Sequence, residues 1–369
     1  MVAPSSSFDR IATLDLLRLV AAVAVLFFHY LFRGGLGDNY LGEGYPEVEP
    51  VAIYGYLGVN LFFLISGFVI AWSAEGRDWQ TFAVARFARL YPGFLACMVI
   101  TWIVLAVWPH QVFPVSVRQL FANLLIFSPV AGEKFVDGVY WSIVMELIFY
   151  GWVALALAVG VFSRYKLQII TVWLGLSVIN EFFIGSYPLK LLFLTEYGPL
   201  FASGVLIHHI ASKGRSPEAL MLLATAFLLS SNYLLIGQDY QQTHYGVSIP
   251  FWGLMIANVV IYLLLIGAVV FRDAVRPTPF IFMLGAITYP LYLLHQNAGY
   301  VAIDWMRPMI GKWPAMIVTS VAMFIFSWMV WRIIERPARR WIVSTFGPIA
   351  DSLAARLPWP RQRAGIPAE

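Results

Sequence analysis

Leu14-Asp-Leu-Leu-Arg-Leu-Val-Ala-Ala-Val-Ala-Val-Leu-Phe-Phe-His-Tyr30 is apolar apart from Asp15, Arg18 and His29. With its flanks it is long enough to cross a bilayer as one helix. A charge at the centre of such a helix costs at least ~2.5–3.5 kcal/mol on insertion scales, so it is seldom kept for packing alone. Eleven positions at 100° each make about three turns, which puts Arg18 and His29 on one helix face roughly 16 Å apart. One face of one membrane helix therefore holds a fixed cation near its start and a titratable base near its end. Asp15, three residues before Arg18, is the natural counter-charge. A structural Asp–Arg pair with an interfacial histidine is the plainer reading of the same residues.

The rest of the chain agrees with this reading. Of 369 residues, 60% are hydrophobic and 12% charged, with a mean hydropathy of +0.75. Soluble domains carry about 25% charged residues. The single cysteine, Cys97, excludes an intramolecular disulfide and a cysteine-based metal site. The net charge of +4 follows the membrane loops and does not indicate nucleic acid as a partner. The first apolar run is too long for a cleavable signal peptide, carries Arg18 and lacks a small-residue cleavage site.

Windows of about 20 apolar residues predict an all-α, polytopic membrane bundle of about ten spans. They fall near 11–32, 50–73, 92–109, 138–160, 167–184, 191–210, 218–236, 250–271, 280–302 and 314–334. The segments 79–91 and 115–127 are too short or too polar to span, and the first reads as an amphipathic helix at an interface. Residues 1–341 form one transmembrane domain, and 342–369, rich in Pro and Arg, form a loosely ordered tail. With the N-terminus in the cytoplasm, inner segments hold 16 Lys and Arg residues and outer segments 6. This positive-inside bias sets both termini in the cytoplasm of a cell inner (plasma) membrane. Asp38, Glu43, Glu47 and Glu49 then lie in the first outer loop.

Further polar clusters interrupt the spans. Arg86 and Arg89 share a face at the cytoplasmic rim, where guanidinium forks bind phosphate oxygens bidentately. Alone they read equally as an anchor to lipid headgroups. Gly138-Val-Tyr-Trp-Ser-Ile-Val-Met-Glu-Leu-Ile-Phe-Tyr150 places Glu146 about 12 Å below the outer start of its span. Ser142 lies on the same face. A carboxylate near the depth of His29 suits an imidazole–carboxylate general base, although a protonated Glu satisfied by a hydroxyl also fits. In Ile287-Thr-Tyr-Pro-Leu-Tyr-Leu-Leu-His-Gln-Asn297, Pro290 predicts a kink. Thr288, Tyr292, His295 and Gly299 form one stripe beside it, lining a polar cavity or enclosing a core histidine. Ile334-Glu-Arg-Pro-Ala-Arg-Arg340 reads as a helix stop and topological anchor. Asn60, Ser66 and Gly67 suit close helix packing as well as a site.

Together, in order and spacing, these motifs resemble the membrane-bound acyltransferase-3 family from Leu14 to about Arg340. The resemblance rests on Arg18 and His29 with ten residues between them, on Gly58-Val-Asn-Leu-Phe-Phe-Leu-Ile-Ser-Gly-Phe68, and on Arg86-x-x-Arg89. It rests also on Trp141-Ser142 with Glu146 and Phe149-Tyr150, on Thr288-Tyr-Pro-Leu-Tyr-Leu-Leu-His295, and on Glu335 with Pro337. Asn60 and Leu147 depart from it, each standing where an acidic residue is common. No extracellular hydrolase-type domain follows the last span, as in the stand-alone form of the family.

The resemblance implies transfer of an acyl group, usually acetyl, from coenzyme A in the cytoplasm to a hydroxyl of an envelope or exported glycan, a lipid-linked sugar or a small glycoside. On this reading Arg18, Arg86 and Arg89 bind acyl-CoA, His29 is the general base and Glu146 orients it. Asp15, Trp141, Ser142, Tyr292 and His295 line the substrate region. The expected partners are acetyl-CoA, a carbohydrate hydroxyl acceptor and membrane lipid, with no metal and no nucleic acid, and an oligomer is compatible with the sequence. The rival class is a proton-coupled transporter or flippase of an envelope precursor, which also uses intramembrane ionisable groups. It usually shows repeats and paired broken spans, which this sequence lacks.

Overall fold

Helices make up all the regular structure among the described residues. The computed structural model describes residues 11–108 and 112–356. Arg10, Arg361 and Arg363 of the charge count, and the tail beyond Arg356, lie outside them. Twelve longer helices carry the architecture: α1 (Ala12–Phe27), α2 (Leu57–Ala74), α3 (Trp79–Val107), α4 (Trp141–Ala158), α5 (Lys166–Ile179), α6 (Gly198–Lys213), α7 (Pro217–Tyr245), α8 (Phe251–Val270), α9 (Pro279–Leu294), α10 (Asn297–Ile310), α11 (Lys312–Val330) and α12 (Arg336–Arg356). Nine helical segments among the described residues are long and apolar enough to cross a membrane. The all-α membrane bundle read from the sequence is the fold observed.

The bundle is built around α2. Its most extensive contact is with α6, where two glycines meet. A Cβ on Gly67 would stand 2.1 Å from the carbonyl oxygen of Phe201, and one on Gly204 2.1 Å from that of Leu64. Between membrane helices, where lipid is as apolar as leucine, such backbone proximity supplies the dispersion that holds the pair. α1 crosses the other side of α2 and packs on α9. The start of α1 marks what is called here the lower end of the bundle.

The structure departs from the sequence reading in three places. Residues 79–91 are not a separate interfacial helix but the first turns of the 29-residue α3, which continues through Pro92. Proline deprives α3 of one backbone hydrogen bond, yet the helix continues through it, with α12 packed along α3. Among the described residues the chain stays helical past Trp341, as far as Arg356. A π-helical turn at Trp331–Glu335 leads from α11 into α12, and Thr81 Oγ1 donates to Asp351 Oδ1 at 3.0 Å. The predicted span 280–302 is two helices. Pro290 lies within α9, and the chain breaks at His295–Gln296 before α10 begins. The buried polar groups at the break are answered locally. Asp137 Oδ2 accepts from Asn297 N at 2.8 Å, Asn297 Nδ2 donates to the Val136 carbonyl at 3.0 Å, and Tyr30 OH donates to the His295 carbonyl at 2.6 Å. A broken helix is tolerated at membrane depth only with such partners.

Candidate active site

Two cavities lie one above the other inside the bundle. The lower, of about 110 Å³, is lined by Arg18 of α1, Ser66 of α2, Arg86 and Arg89 of α3, and Ser142 and Glu146 of α4. The upper, of about 120 Å³, is lined by His29, Arg33, Asn60 and Gln296 together with a wall of aromatic rings that includes Trp141 and Tyr197. Val59 and Tyr292 line both. The partition is therefore about one side chain thick. Its polar seam is the pair Ser142 Oγ and Tyr292 OH, 2.7 Å apart, with Ser142 donating to the Val139 carbonyl at 2.9 Å.

His29 sits where α1 changes winding. The chain passes at Phe28 into a π-helical segment, Phe28–Gly37, a geometry frequent at functional sites. Tyr300 OH donates to the His29 carbonyl at 3.2 Å. The ring is buried, with Nδ1 2.9 Å from the Val25 carbonyl oxygen and 2.9 Å from Nε2 of His295. Edge contact with Phe28 holds its other side. Glu146 is not the partner expected for it. That carboxylate accepts from Ser66 Oγ at 2.9 Å and from Tyr150 OH, in the lower cavity. Depth along α4 is readable from spacing, but rotation toward α2 depends on tertiary packing.

The other expected residues divide between cavity wall and support. Arg18 lines the lower cavity, held by Asp15 at 3.4 Å. Asp15 lines neither cavity and is buried against Gly285 of α9. Arg89 reaches the lower cavity but is bound to Glu335 and lies 5.1 Å from the centre of the Tyr289 ring. The terminal Glu335, read as a topological anchor, is thus the partner of the second arginine. Arg86 differs. Its guanidinium stacks over Phe82 and Tyr150, its Nε is buried with no hydrogen-bond partner, and it has no ion-pair partner among the described residues. A buried guanidinium nitrogen without a hydrogen-bond partner, on a cavity wall, suits an anionic ligand. Trp141 lines the upper cavity with its ring 5.1 Å from that of Tyr197. His295 lines neither cavity and stands behind His29.

Ser66, read from the sequence as suiting packing or a site, and Tyr150, quoted with the Glu146 motif, prove to be the partners of Glu146, and the one-turn spacing made the Tyr150 bond readable. Arg33 and Asp137 escaped the sequence reading. Arg33 Nε pairs with Asp38 at 2.5 Å and its Nη1 reaches Gln296 Oε1 at 3.5 Å. Asp137 is buried in the loop before α4. Burial pushes its carboxyl up to about 7, against the backbone N–H groups of Asn297 and Val139 and the nearby Arg33, which pull it down.

Comparison with known proteins is consistent across the chain. The description "Acyltransferase domain" matches residues 11–332. Nodulation protein 10 of Rhizobium leguminosarum bv. viciae is 26% identical over 357 residues, covering 88% of this chain and 92% of that protein. The O-acetyl transferase of Shigella phage Sf6 is 22% identical over 342 residues, 87% of this chain and 94% of that protein. Acyltransferase MdmB of Streptomyces mycarofaciens is 35% identical over 148 residues, 38% of each chain. No solved structure matches.

Proposed function

The chain belongs to the acyltransferase-3 family, its acyltransferase domain covering residues 11–332, and from that premise we propose that it carries an acetyl group from acetyl-CoA, bound from the cytoplasm, to a hydroxyl of a glycan or glycoside on the outer side of the inner membrane. That it is an O-acyltransferase follows from the family and from relatives named as acyltransferases. The donor, the acceptor and the sidedness are the proposal. The positive-inside bias supports the orientation with both termini cytoplasmic. The name of the phage relative, an O-acetyl transferase, supports acetyl as the group moved.

The observation that carries this reading is the back-to-back pair of cavities. The lower holds cations suited to phosphate; the upper holds an imidazole among aromatic rings suited to a sugar face. Arg86 bonds a phosphate of the donor. Arg18, fixed by Asp15, lines the route inward. Glu146, holding Ser66 and Tyr150, balances the cationic wall. His29 takes the proton of the acceptor hydroxyl as its oxygen attacks the thioester carbonyl at the partition. General-base assistance is typically worth ~10²–10⁴-fold.

The test is thiol release from acetyl-CoA by the purified protein in lipid nanodiscs, with and without a panel of glycan and glycoside acceptors. Acceptor-dependent release that falls at least ~10²-fold in His29→Ala, with unchanged thermal unfolding, is expected. Undiminished release in that variant would sink the base assignment. Solute-coupled proton uptake with no thiol release from the native protein would favour the transporter reading.

A further inference from the structure

The two histidines can be assigned proton by proton. Nδ1 of His295 lies 2.9 Å from the Tyr292 carbonyl oxygen and 3.2 Å from that of Leu291. Carbonyl oxygens only accept, so this nitrogen carries a proton. A neutral imidazole has one donor and one acceptor nitrogen, which leaves Nε2 of His295 with its lone pair. That lone pair faces Nδ1 of His29 at 2.9 Å. Nδ1 of His29 also faces the Val25 carbonyl at 2.9 Å. Two acceptors on one nitrogen require it to be the donor. His29 is then protonated on Nδ1, and its remaining nitrogen, Nε2, holds the lone pair, on a ring that lines the upper cavity with Gln296 as a hydrogen-bonding neighbour.

His295 is itself 1% exposed, and it lines neither cavity. Its place is held from three sides. Tyr30 takes its carbonyl, the break between α9 and α10 sets its direction, and Asp137 secures the first amide after that break. A lone pair delivered this way, by a buried ring with no route to substrate, has one visible recipient.

We propose that His295 is the positioning residue of the transfer, holding His29 in the tautomer whose Nε2 is the base and receiving the charge that this base acquires. The proposal rests on the acyltransferase reading above. As the acceptor oxygen bonds to the thioester carbonyl carbon and the carbon–sulfur bond breaks, the hydroxyl proton goes to Nε2 of His29. The Nδ1 proton of His29 shifts toward Nε2 of His295. It returns as Nε2 of His29 gives its proton to the leaving thiolate, so the pair ends as it began. An imidazole here does the work more often given to a carboxylate. It does so without placing a permanent charge in the bilayer, where an unpaired carboxylate is costly.

Three forms of the protein test this in nanodiscs with acetyl-CoA and an acceptor that supports turnover. His295→Phe removes the lone pair. His295→Gln keeps an acceptor for the Nδ1 proton but cannot take the proton up. Phe is expected to lower kcat ~10–100-fold, the usual effect of losing a supporting partner, with KM for acetyl-CoA within about threefold. Gln is expected to recover about tenfold of that loss. In mixtures of light and heavy water the native rate is expected to bow against isotope fraction, as two moving protons require, and the Gln variant to run straight. Equal losses in Phe and Gln, or a native-like kcat in Phe, would overturn the proposal. Should Phe fail to fold, a bowed plot in Gln overturns it alone. A native protein that releases no thiol refutes the acyltransferase reading instead, so the two failures are distinct.

Discussion

At the scale of single residues, the two arginines of Arg86-x-x-Arg89 separate by what each already touches. Spacing alone treats them as one fork. In the fold, Arg89 is spent on Glu335, whose side chain is 4% exposed, whereas Arg86 lies over two rings and has no ion-pair partner among the described residues. Arg86→Gln is therefore expected to raise KM for acetyl-CoA ~10–100-fold, the worth of one charge-assisted hydrogen bond, with the unfolding midpoint unchanged. Glu335→Gln is expected to do the reverse. Removing one partner of a buried pair costs about 3 kcal/mol or more. The low end applies because Arg89 keeps 24% of its side chain exposed. Thermal unfolding beside steady-state kinetics checks both, and a lowered midpoint in Arg86→Gln would reassign that residue to structure. Nothing in the sequence tells the two apart, because the partner lies 246 positions away.

At the scale of elements, the break between α9 and α10 is the feature that sequence reading came nearest to and missed. Pro290 marks a weakened helix, yet the chain stays helical through it and parts five residues later, at His295. A helix interrupts where its freed groups find partners, and the partner here is Asp137, from a segment 160 positions earlier. The same residue makes the break sensitive to pH. Its folded-state value of about 7 lies above the ordinary 3.8, so the folded protein binds this proton more tightly than the unfolded chain. The resulting stabilisation is full below the ordinary value and is lost as pH rises through about 7. Asp137→Asn cannot ionise and escapes that loss. It gives up one acceptor at every pH, which is a constant offset. The midpoint of Asp137→Asn minus that of the native protein is thus expected to grow more positive between pH 5.5 and 8.5. A difference that stays flat over the range would mean that Asp137 does not titrate there.

At the scale of the whole molecule, helices on either side of α2 enclose two chambers at different depths. Composition and loop charge made the membrane bundle legible, and the order of motifs made the family legible. Spacing also put Arg18 and His29 on one face, which is how α1 comes to serve both chambers. Spacing put Glu146 near the depth of His29 but could not show that the partition falls between them, because that depends on how α2, α4 and α9 pack and on which way α4 is rotated. The partition at Val59 and Tyr292 is likewise a property of three helices at once. It has a consequence for water. Acyl transfer to a chosen hydroxyl requires that water not reach the thioester first, and the Tyr292 ring, sealed by Ser142, stands where the chambers would otherwise join. Tyr292→Ala is expected to raise acceptor-independent hydrolysis of acetyl-CoA relative to transfer about tenfold, the scale of a misaligned or unshielded reacting centre. Tyr292→Phe keeps the ring and loses only the hydroxyl pair, so its ratio is expected to stay within about threefold of native. The two are compared by thiol release with acceptor absent and at saturation. If Phe leaks as much as Ala, the seal is the hydrogen bond to Ser142. If neither leaks, the chambers are kept apart by α2 through Val59, and the donor must reach His29 by another path.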